Sequence, residues 1–168
     1  MPKEPIDLVD EQDNVIGITD VETAHASRQL HRVVAVFVFD HNENLILQKR
    51  VENGRYDNSV GGHVGLSESY SNAAKREMQE ELGLDIPITE IGKFLPEDAR
   101  LGHWWTLYTG VAPMGWEFEP TKEVQTVESM TVPGIVALMD TTPEKFTHGF
   151  INVMKGYVTA RIPPLRRD

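Results

Sequence analysis

Residues 62–84 read GHVGLSESYSNAAKREMQEELGL, and this stretch decides the fold of the chain. It begins in a glycine-rich segment and predicts a helix over residues 67–82, with apolar side chains recurring every fourth position on one face. Gly83 follows as the residue that commonly ends a helix in the left-handed conformation. The stretch therefore predicts a glycine-rich loop followed by a helix whose apolar face packs on a core. Its candidate caps are Ser67 and Ser69, and its apolar face is Ala74, Met78 and Leu82.

Three glutamates lie where a purely structural helix would avoid them. Glu77, Glu80 and Glu81 have the spacing i, i+3 and i+4, so they share one face, and each like-charge pair costs roughly 0.2–0.5 kcal/mol. They also lie near the negative end of the helix dipole. A hard cation held by oxygen ligands, Mg²⁺ or Mn²⁺, would offset this repulsion. The alternative is a solvated acidic face that Lys75 and Arg76 partly neutralise.

Composition excludes several classes of protein. The chain has 168 residues, is 40% hydrophobic and carries a formal net charge of −10, which disfavours binding to nucleic acid or to anionic membranes. It has no cysteine, so disulfides, thiolate metal sites and cysteine nucleophiles are excluded and a cytoplasmic location is expected. The longest apolar run, residues 33–39, is too short to cross a bilayer. The amino-terminal MPKEPIDL lacks the apolar core of a signal peptide.

The rest of the chain indicates strands with helices before, between and after them. No linker or repeat divides it, so we expect one domain over residues 1–168, with an extension at 1–30 and a core at 31–160. This order is typical of an α/β or α+β sandwich around a mixed sheet. The predicted elements are a hairpin of Ile6–Val9 and Val15–Thr19, a helix at 21–30, strands at 32–40, 45–50, 90–95, 104–111 and 124–130, a short helix from Thr131, and a last helix at 148–160.

The stretch that starts at Gly62 resembles the Nudix box, GX5EX7REUXEEXGU with U a bulky apolar residue, at every defined position. The resemblance implies an α/β/α sandwich around a mixed β-sheet, here one Nudix domain with an N-terminal β-hairpin extension. It also implies hydrolysis of a small-molecule diphosphate with Mg²⁺ or Mn²⁺. By this resemblance the carbonyl of Gly62 and the carboxylates of Glu77, Glu80 and Glu81 are metal ligands, Arg76 orients a box glutamate, and Glu68 is a supporting acid.

Three charged residues outside the box are further candidates. Glu123, just before a predicted strand, resembles the additional acidic metal ligand that a later loop often supplies in this family, although a solvated charge would look the same. Lys49 and Arg50 end a predicted strand and could contact the diphosphate, or could be solvated charges at the strand end. His63 adjoins the box but is expected to be structural. The run HWW at residues 103–105 could stack on a base, or belong to the core.

Two stretches narrow the resemblance to one branch. Residues 30–50 and 56–64 are similar to Nudix proteins related to type I isopentenyl-diphosphate isomerase, and the hairpin at residues 7–17 agrees. Those isomerases use a cysteine in the segment where this chain has Ser59. We therefore expect hydrolysis of a nucleoside diphosphate derivative or similar small diphosphate. An isomerase, a non-catalytic nucleotide sensor and an enzyme that removes oxidised nucleoside triphosphates remain alternatives, and a homodimer remains open.

Overall fold

The structure, a computed structural model, describes residues 4–95 and 102–159, and nine strands in these ranges form one mixed sheet. Four helices and a 3₁₀ turn at Pro143–Lys145 accompany the strands. The strands are β1 (Pro5–Val9), β2 (Val15–Asp20), β3 (His31–Phe39), β4 (Leu45–Arg50), β5 (Tyr56–Asp57), β6 (Val60–His63), β7 (Thr89–Phe94), β8 (His103–Val111) and β9 (Val124–Met130). The helices are α1 (Val21–Ala26), α2 (Tyr70–Leu82), α3 (Val132–Thr141) and α4 (His148–Val158).

Strand β3 is the centre of the sheet because its apolar run is buried on both faces. It pairs in parallel with β8 along its whole length and antiparallel with β6. Alternate side chains of β3 enter two separate cores, since successive residues of a strand point to opposite faces. Helix α2 covers one face, called the box face below, while α3 and α4 cover the other. The predicted α/β/α sandwich with a mixed sheet is confirmed.

Helix α2 begins later than the predicted residue 67. Ser69 is its N-cap and accepts a hydrogen bond from the backbone of Asn72, whereas Ser67 has a left-handed φ of 57° and lies in the preceding turn. Gly83 ends the helix with φ 63°, as predicted. The apolar stripe lies on the box face against alternate residues of β3. The buried residues of that stripe are Ala73, Ala74, Met78 and Leu82.

The glycine-rich segment at residues 51–66 contains two short strands, β5 and β6. Because β6 pairs with β3, it carries the first residues of the box directly into the sheet. At the far end of the chain α4 begins at His148, as predicted, and the predicted end at Ala160 lies outside the described residues.

The amino-terminal extension packs closely against the rest of the sheet. Its hairpin loop carries Asp13, whose carboxylate accepts a hydrogen bond at 2.6 Å from Arg32 and also pairs with Lys93. Helix α1 stops at Ala26 instead of the predicted residue 30, because the chain turns at Arg28, which has φ 52°. No described helix is long and apolar enough to cross a membrane.

Candidate functional site

Helix α2 presents its three glutamates to different degrees. Glu81 is buried against the sheet with 3% of its surface exposed, while the side chain of Glu77 is 13% exposed and that of Glu80 is 58% exposed. The helix face that carries the three glutamates therefore runs from the rim of the site to its interior. Two of the three carboxylates are held away from bulk water. In such buried surroundings their negative charge is costly without a counter-ion.

Gly62 is glycine because β6 passes directly over Glu77. A Cβ atom built at Gly62 would overlap the Cδ and Oε1 atoms of that side chain. The neighbouring Gly61 has more space, since a Cβ there would lie 3.5 Å from the amide nitrogen of Asn58. The close approach brings the backbone of β6 beside the carboxylate of Glu77, and any side chain at residue 62 would displace one of them.

Glu81 is fixed by two donors on one oxygen. The backbone N–H of Gly61 donates to its Oε2 at 3.1 Å, and the amide of Gln48 donates to the same atom at 3.2 Å. Burial raises the pKa of Glu81 to about 8; the bond from Gly61 opposes this shift and the charge of Glu77 adds to it. Burial likewise raises the pKa of Glu77 to about 7, against the influence of Arg76.

Arg76 connects the box acids to one another and to β6. Its guanidinium donates to both carboxylate oxygens of Glu68 at 3.0 Å, to Glu77 at 2.8 Å and to the carbonyl of His63 at 3.0 Å. A longer contact of 3.4 Å reaches Glu80. The ion pair with Glu68 raises the pKa of Arg76 further, so the side chain stays charged. One cation thus pairs with Glu68 and Glu77 at the same time.

Glu123 lies within electrostatic reach of the buried pair. Its charge raises the pKa of both Glu77 and Glu81. The exposed side chain stands immediately before β9, which pairs with β4, the strand that carries Gln48. The donor set at this site, carboxylates and a strand carbonyl, consists of oxygen atoms alone and fits a hard divalent cation. The groups that could hold it are the carbonyl of Gly62 and the carboxylates of Glu77, Glu80, Glu81 and Glu123.

The metal-free protein is expected to become less stable as the pH rises from about 5 to 8. The pKa of Glu81 is about 8 in the folded protein against an ordinary value of 4.5, so the folded state keeps a proton that the unfolded chain releases across this window. Stability that is present below pH 4.5 is therefore lost as the pH reaches the folded pKa. We expect the Tm in chelator to fall by about 5–10 °C between about pH 5 and pH 8.5.

Circular dichroism melts at a series of pH values, with and without excess Mg²⁺, measure this effect. Added Mg²⁺ should raise the Tm most at the alkaline end, where it replaces the lost protons. A Tm in chelator that does not change over this pH range would contradict the expected burial of the Glu81 charge.

The sheet separates Lys49 from Arg50. Since alternate residues of β4 face opposite sides, Arg50 lies on the box face with Gln48, and its guanidinium is 3.3 Å from Asp57. Lys49 points to the other face, with its ammonium group 5.6 Å from the centre of the Tyr56 ring. The structure therefore does not bring the two cations together, and Arg50 is the one on the side of the glutamates.

The aromatic pair of the HWW run belongs to the body of the protein. Trp105 is buried in the core under α4, and Gly149 lies against its ring. The indole of Trp104 donates to the carbonyl of Asp10 in the amino-terminal hairpin. Both tryptophans thus have structural contacts, in line with the core alternative for this run.

Four histidines that the sequence reading did not connect form a second cluster. One ring nitrogen from each lies within 4.8 Å of the ligand atoms of the others, in a group that could hold a metal ion. From the sequence we expected His63 to be a lone structural histidine, but three other histidines lie beside it. Little in the sequence pointed to this cluster, because the four histidines come from distant segments. The one signal was that three of them begin or end strands. The members, called the four-histidine cluster below, are His25, His31, His63 and His103.

The model of the NUDIX domain matches residues 29–150, and the chain belongs to the Nudix family. It is 32% identical over 161 residues to a protein of Serratia proteamaculans named isopentenyl-diphosphate Delta-isomerase, covering 88% of each chain. It is 33% identical over 141 residues to an uncharacterised Nudix hydrolase of Yersinia pestis, covering 80% of this chain and 77% of that one. The crystal structure of DR0079 from Deinococcus radiodurans has a TM-score of 0.80 at 24% identity, over 93% of this chain and 100% of that one.

Proposed function

We propose that the protein is a metal-dependent hydrolase that cleaves the diphosphate linkage of a nucleoside diphosphate derivative or a similar small molecule. The observation that carries this proposal is the buried pair Glu77 and Glu81 beside the backbone of Gly62. Two carboxylates with pKa values raised to about 7 and about 8 become a metal site when a divalent cation replaces their protons. Such a cation also allows an anionic diphosphate to approach an otherwise acidic surface.

Each residue of the site has a defined part in this reaction. Mg²⁺ or Mn²⁺, when bound, polarises the phosphoryl oxygens and lowers the pKa of a bound water. Arg76 holds the carboxylate of Glu77 in place, and the donors from Gly61 and Gln48 fix Glu81. A nearby carboxylate oxygen accepts the proton of the attacking water while the water oxygen bonds to phosphorus and the leaving phosphate takes the electron pair of the broken P–O bond.

We assign the contact with the substrate diphosphate to Arg50 and not to Lys49. Arg50 shares the box face with Gln48, and Asp57, 3.3 Å away, holds its guanidinium there. A planar guanidinium can form two parallel hydrogen bonds with a phosphate, which gives it geometric specificity. Glu123 is assigned as an additional acid because its charge reaches both buried glutamates.

A screen of diphosphate compounds with Mg²⁺ or Mn²⁺ tests the proposal, with release of phosphate-containing products as the measurement. The expected result is hydrolysis that requires the cation and increases towards alkaline pH, since the carboxylates must be ionised to bind it. Undiminished turnover in excess chelator would reject the metal-dependent mechanism.

Isopentenyl-diphosphate isomerisation is the second candidate, because several relatives carry that name. We expect no isomer to form. The hydroxyl of Ser59, in the segment where those isomerases have a cysteine, is buried; it accepts a hydrogen bond from Val38 at 2.8 Å and donates to the carbonyl of Ile46. This chain has no thiol, whose ordinary pKa of about 8.5 suits proton transfer far better than that of a serine hydroxyl.

Incubation with isopentenyl diphosphate and Mg²⁺, followed by NMR, measures both reactions at once. Formation of dimethylallyl diphosphate at an enzymatic rate, without phosphate release, would reverse the assignment in favour of an isomerase.

A further inference from the structure

The loop between β8 and β9, residues 112–123, runs from one end of the sheet to the other. At its start, the backbone N–H of Ala112 donates to the carbonyl of Phe39, the last residue of β3, at 2.9 Å. At its end, the carbonyl of Glu123 accepts a hydrogen bond from Val51, which directly follows β4. Because β4 begins beside the end of β3, the loop spans the full length of β4.

Two aromatic side chains place this loop on the box face. Trp116 and Phe118 are partly buried and pack against the core under α2, while Glu117 between them is exposed. The ring centres of Trp116 and Phe118 are 6.3 Å apart, and the ring planes are inclined by 57°. This arrangement offers a flat ligand the face of one ring and the edge of the other.

A cavity of about 350 Å³ lies between these rings and the sheet. Its volume is within the range of about 300–1,000 Å³ that is usual for small-molecule sites. Apolar and aromatic side chains from β4, β9 and the loop form its walls, and exposed polar residues stand at its edge. The walls include Ile46, Val127, Trp116 and Phe118, and the polar edge includes Asn42 and Ser129.

The cavity and the box glutamates lie along the same strand. Ile46, Gln48 and Arg50 are alternate residues of β4, so their side chains share the box face. Ile46 lines the cavity, Gln48 donates to Glu81, and Arg50 is the residue to which we assign the diphosphate. Alternate residues of a strand are about 6.5–7 Å apart, and a ribose spans a distance of this order. A ligand with its diphosphate at the glutamates can therefore reach the cavity with the group that its ribose carries.

The mixed lining of the cavity favours a nucleobase over an isoprenoid chain. A base has a π face that stacks on an aromatic ring and a polar edge that needs donors and acceptors. Ser129 is paired with Ile46 in the ladder of β4 and β9, so its hydroxyl, which both donates and accepts, is on the side of the cavity. An isoprenoid chain would desolvate such polar groups without offering them a partner.

We propose that this cavity binds the nucleobase of the substrate, with Trp116 as the stacking residue and Ser129 at the polar edge of the base. The inference rests on the proposed function in one respect, since the base is taken to belong to the molecule that the box cleaves. It narrows the substrate from small diphosphates in general to nucleoside diphosphate derivatives. Trp116 and Ser129 are then the residues that determine specificity.

Binding of free nucleosides tests the proposal without any hydrolysis. Adenosine, guanosine, cytidine and uridine are each titrated into the full chain in excess chelator, so that neither metal nor phosphate contributes. At least one of them should bind saturably in saturation-transfer NMR and quench the tryptophan fluorescence, and an excess of isopentenol should not displace it. Glu81→Gln should bind the same nucleoside with wild-type affinity, because it alters only the box.

Trp116→Leu should weaken nucleoside binding by about five- to 100-fold, since it removes the ring on which the base stacks. Glu117→Ala is the matched control, because it changes an exposed side chain of the same loop that does not line the cavity, and its affinity should equal that of wild type. Ser129→Ala should change the order of affinities among the four nucleosides. Since Ser129 is exposed, its substitution leaves the core intact and keeps the test valid if Trp116→Leu folds poorly.

The outcomes separate the base site from the reaction. Absence of binding by all four nucleosides, displacement by isopentenol, or unchanged affinities in both Trp116→Leu and Ser129→Ala would each overturn the proposal. Nucleoside binding by a protein that cleaves none of the screened diphosphates would support the base site and reject the proposed hydrolysis. Hydrolysis of a diphosphate without any nucleoside binding would do the reverse.

Discussion

Glu81→Gln is expected to lower the rate of diphosphate hydrolysis by about 10³-fold, equivalent to roughly 4 kcal/mol of transition-state stabilisation. The substitution keeps the shape of the side chain, and its amide oxygen can still accept the bond from Gly61. It removes the charge that a divalent cation would neutralise. The same change should raise the Tm of the metal-free protein at about pH 9, because a buried carboxylate beside Glu77 is replaced by a neutral group.

Asp85→Asn is the matched control for this experiment. Asp85 is an exposed acid shortly after the end of α2, so its substitution removes the same charge close to the site while leaving the buried pair intact. Its rate should stay within about twofold of wild type, in line with the small effects of surface changes. A fall in Tm for Glu81→Gln in chelator, together with equal loss of activity in both variants, would mark Glu81 as a structural residue.

Gly62→Ala should cost about 10²-fold or more in rate and should weaken Mg²⁺ binding. The added methyl group overlaps the carboxylate of Glu77, so either β6 or that side chain must move. Displacing the backbone by about 1 Å is enough to disturb a catalytic arrangement to this extent. Measurements of the rate at several Mg²⁺ concentrations would separate weaker metal binding from slower turnover.

Gly61→Ala provides the comparison at the adjacent position. A methyl group there meets Asn58 at 3.5 Å, an ordinary contact, and the N–H that donates to Glu81 is retained. We expect a far smaller loss of rate than for Gly62→Ala. Similar losses in the two variants would mean that the strand tolerates no side chain at either position, and that the overlap with Glu77 is not the cause.

The sequence predicts helix α2 and its acidic face well because the information is local. A repeat of four residues, a serine cap and a terminal glycine lie within one short stretch, and the helical spacing alone puts Glu77, Glu80 and Glu81 on one face. The start of the helix was wrong by three residues, because two serines could cap it and only the structure shows that Ser67 turns away.

Features that depend on pairing between distant strands could not be predicted in the same way. The glycine-rich segment gave no sign that β6 would pair with β3, so the contact between Gly62 and Glu77 could not be derived from the spacing. The four-histidine cluster has the same origin, since its members meet only after β3, β6 and β8 align. The opposite orientations of Lys49 and Arg50 follow from the alternation along β4, and this could have been inferred once the strand was assigned.

The contacts of the amino-terminal hairpin bear on where a shortened form of this protein can begin. The family pattern starts at residue 29, yet Asp13 and His25 precede that point. A fragment cut there would leave the largely enclosed Arg32 and the more exposed Lys93 without the carboxylate that they share. Unpaired cations in such surroundings are costly, and the tip of β3 would lose its cover. A protein expressed from residue 29 onward would therefore lack Asp13, the carboxylate that pairs with Arg32 and Lys93.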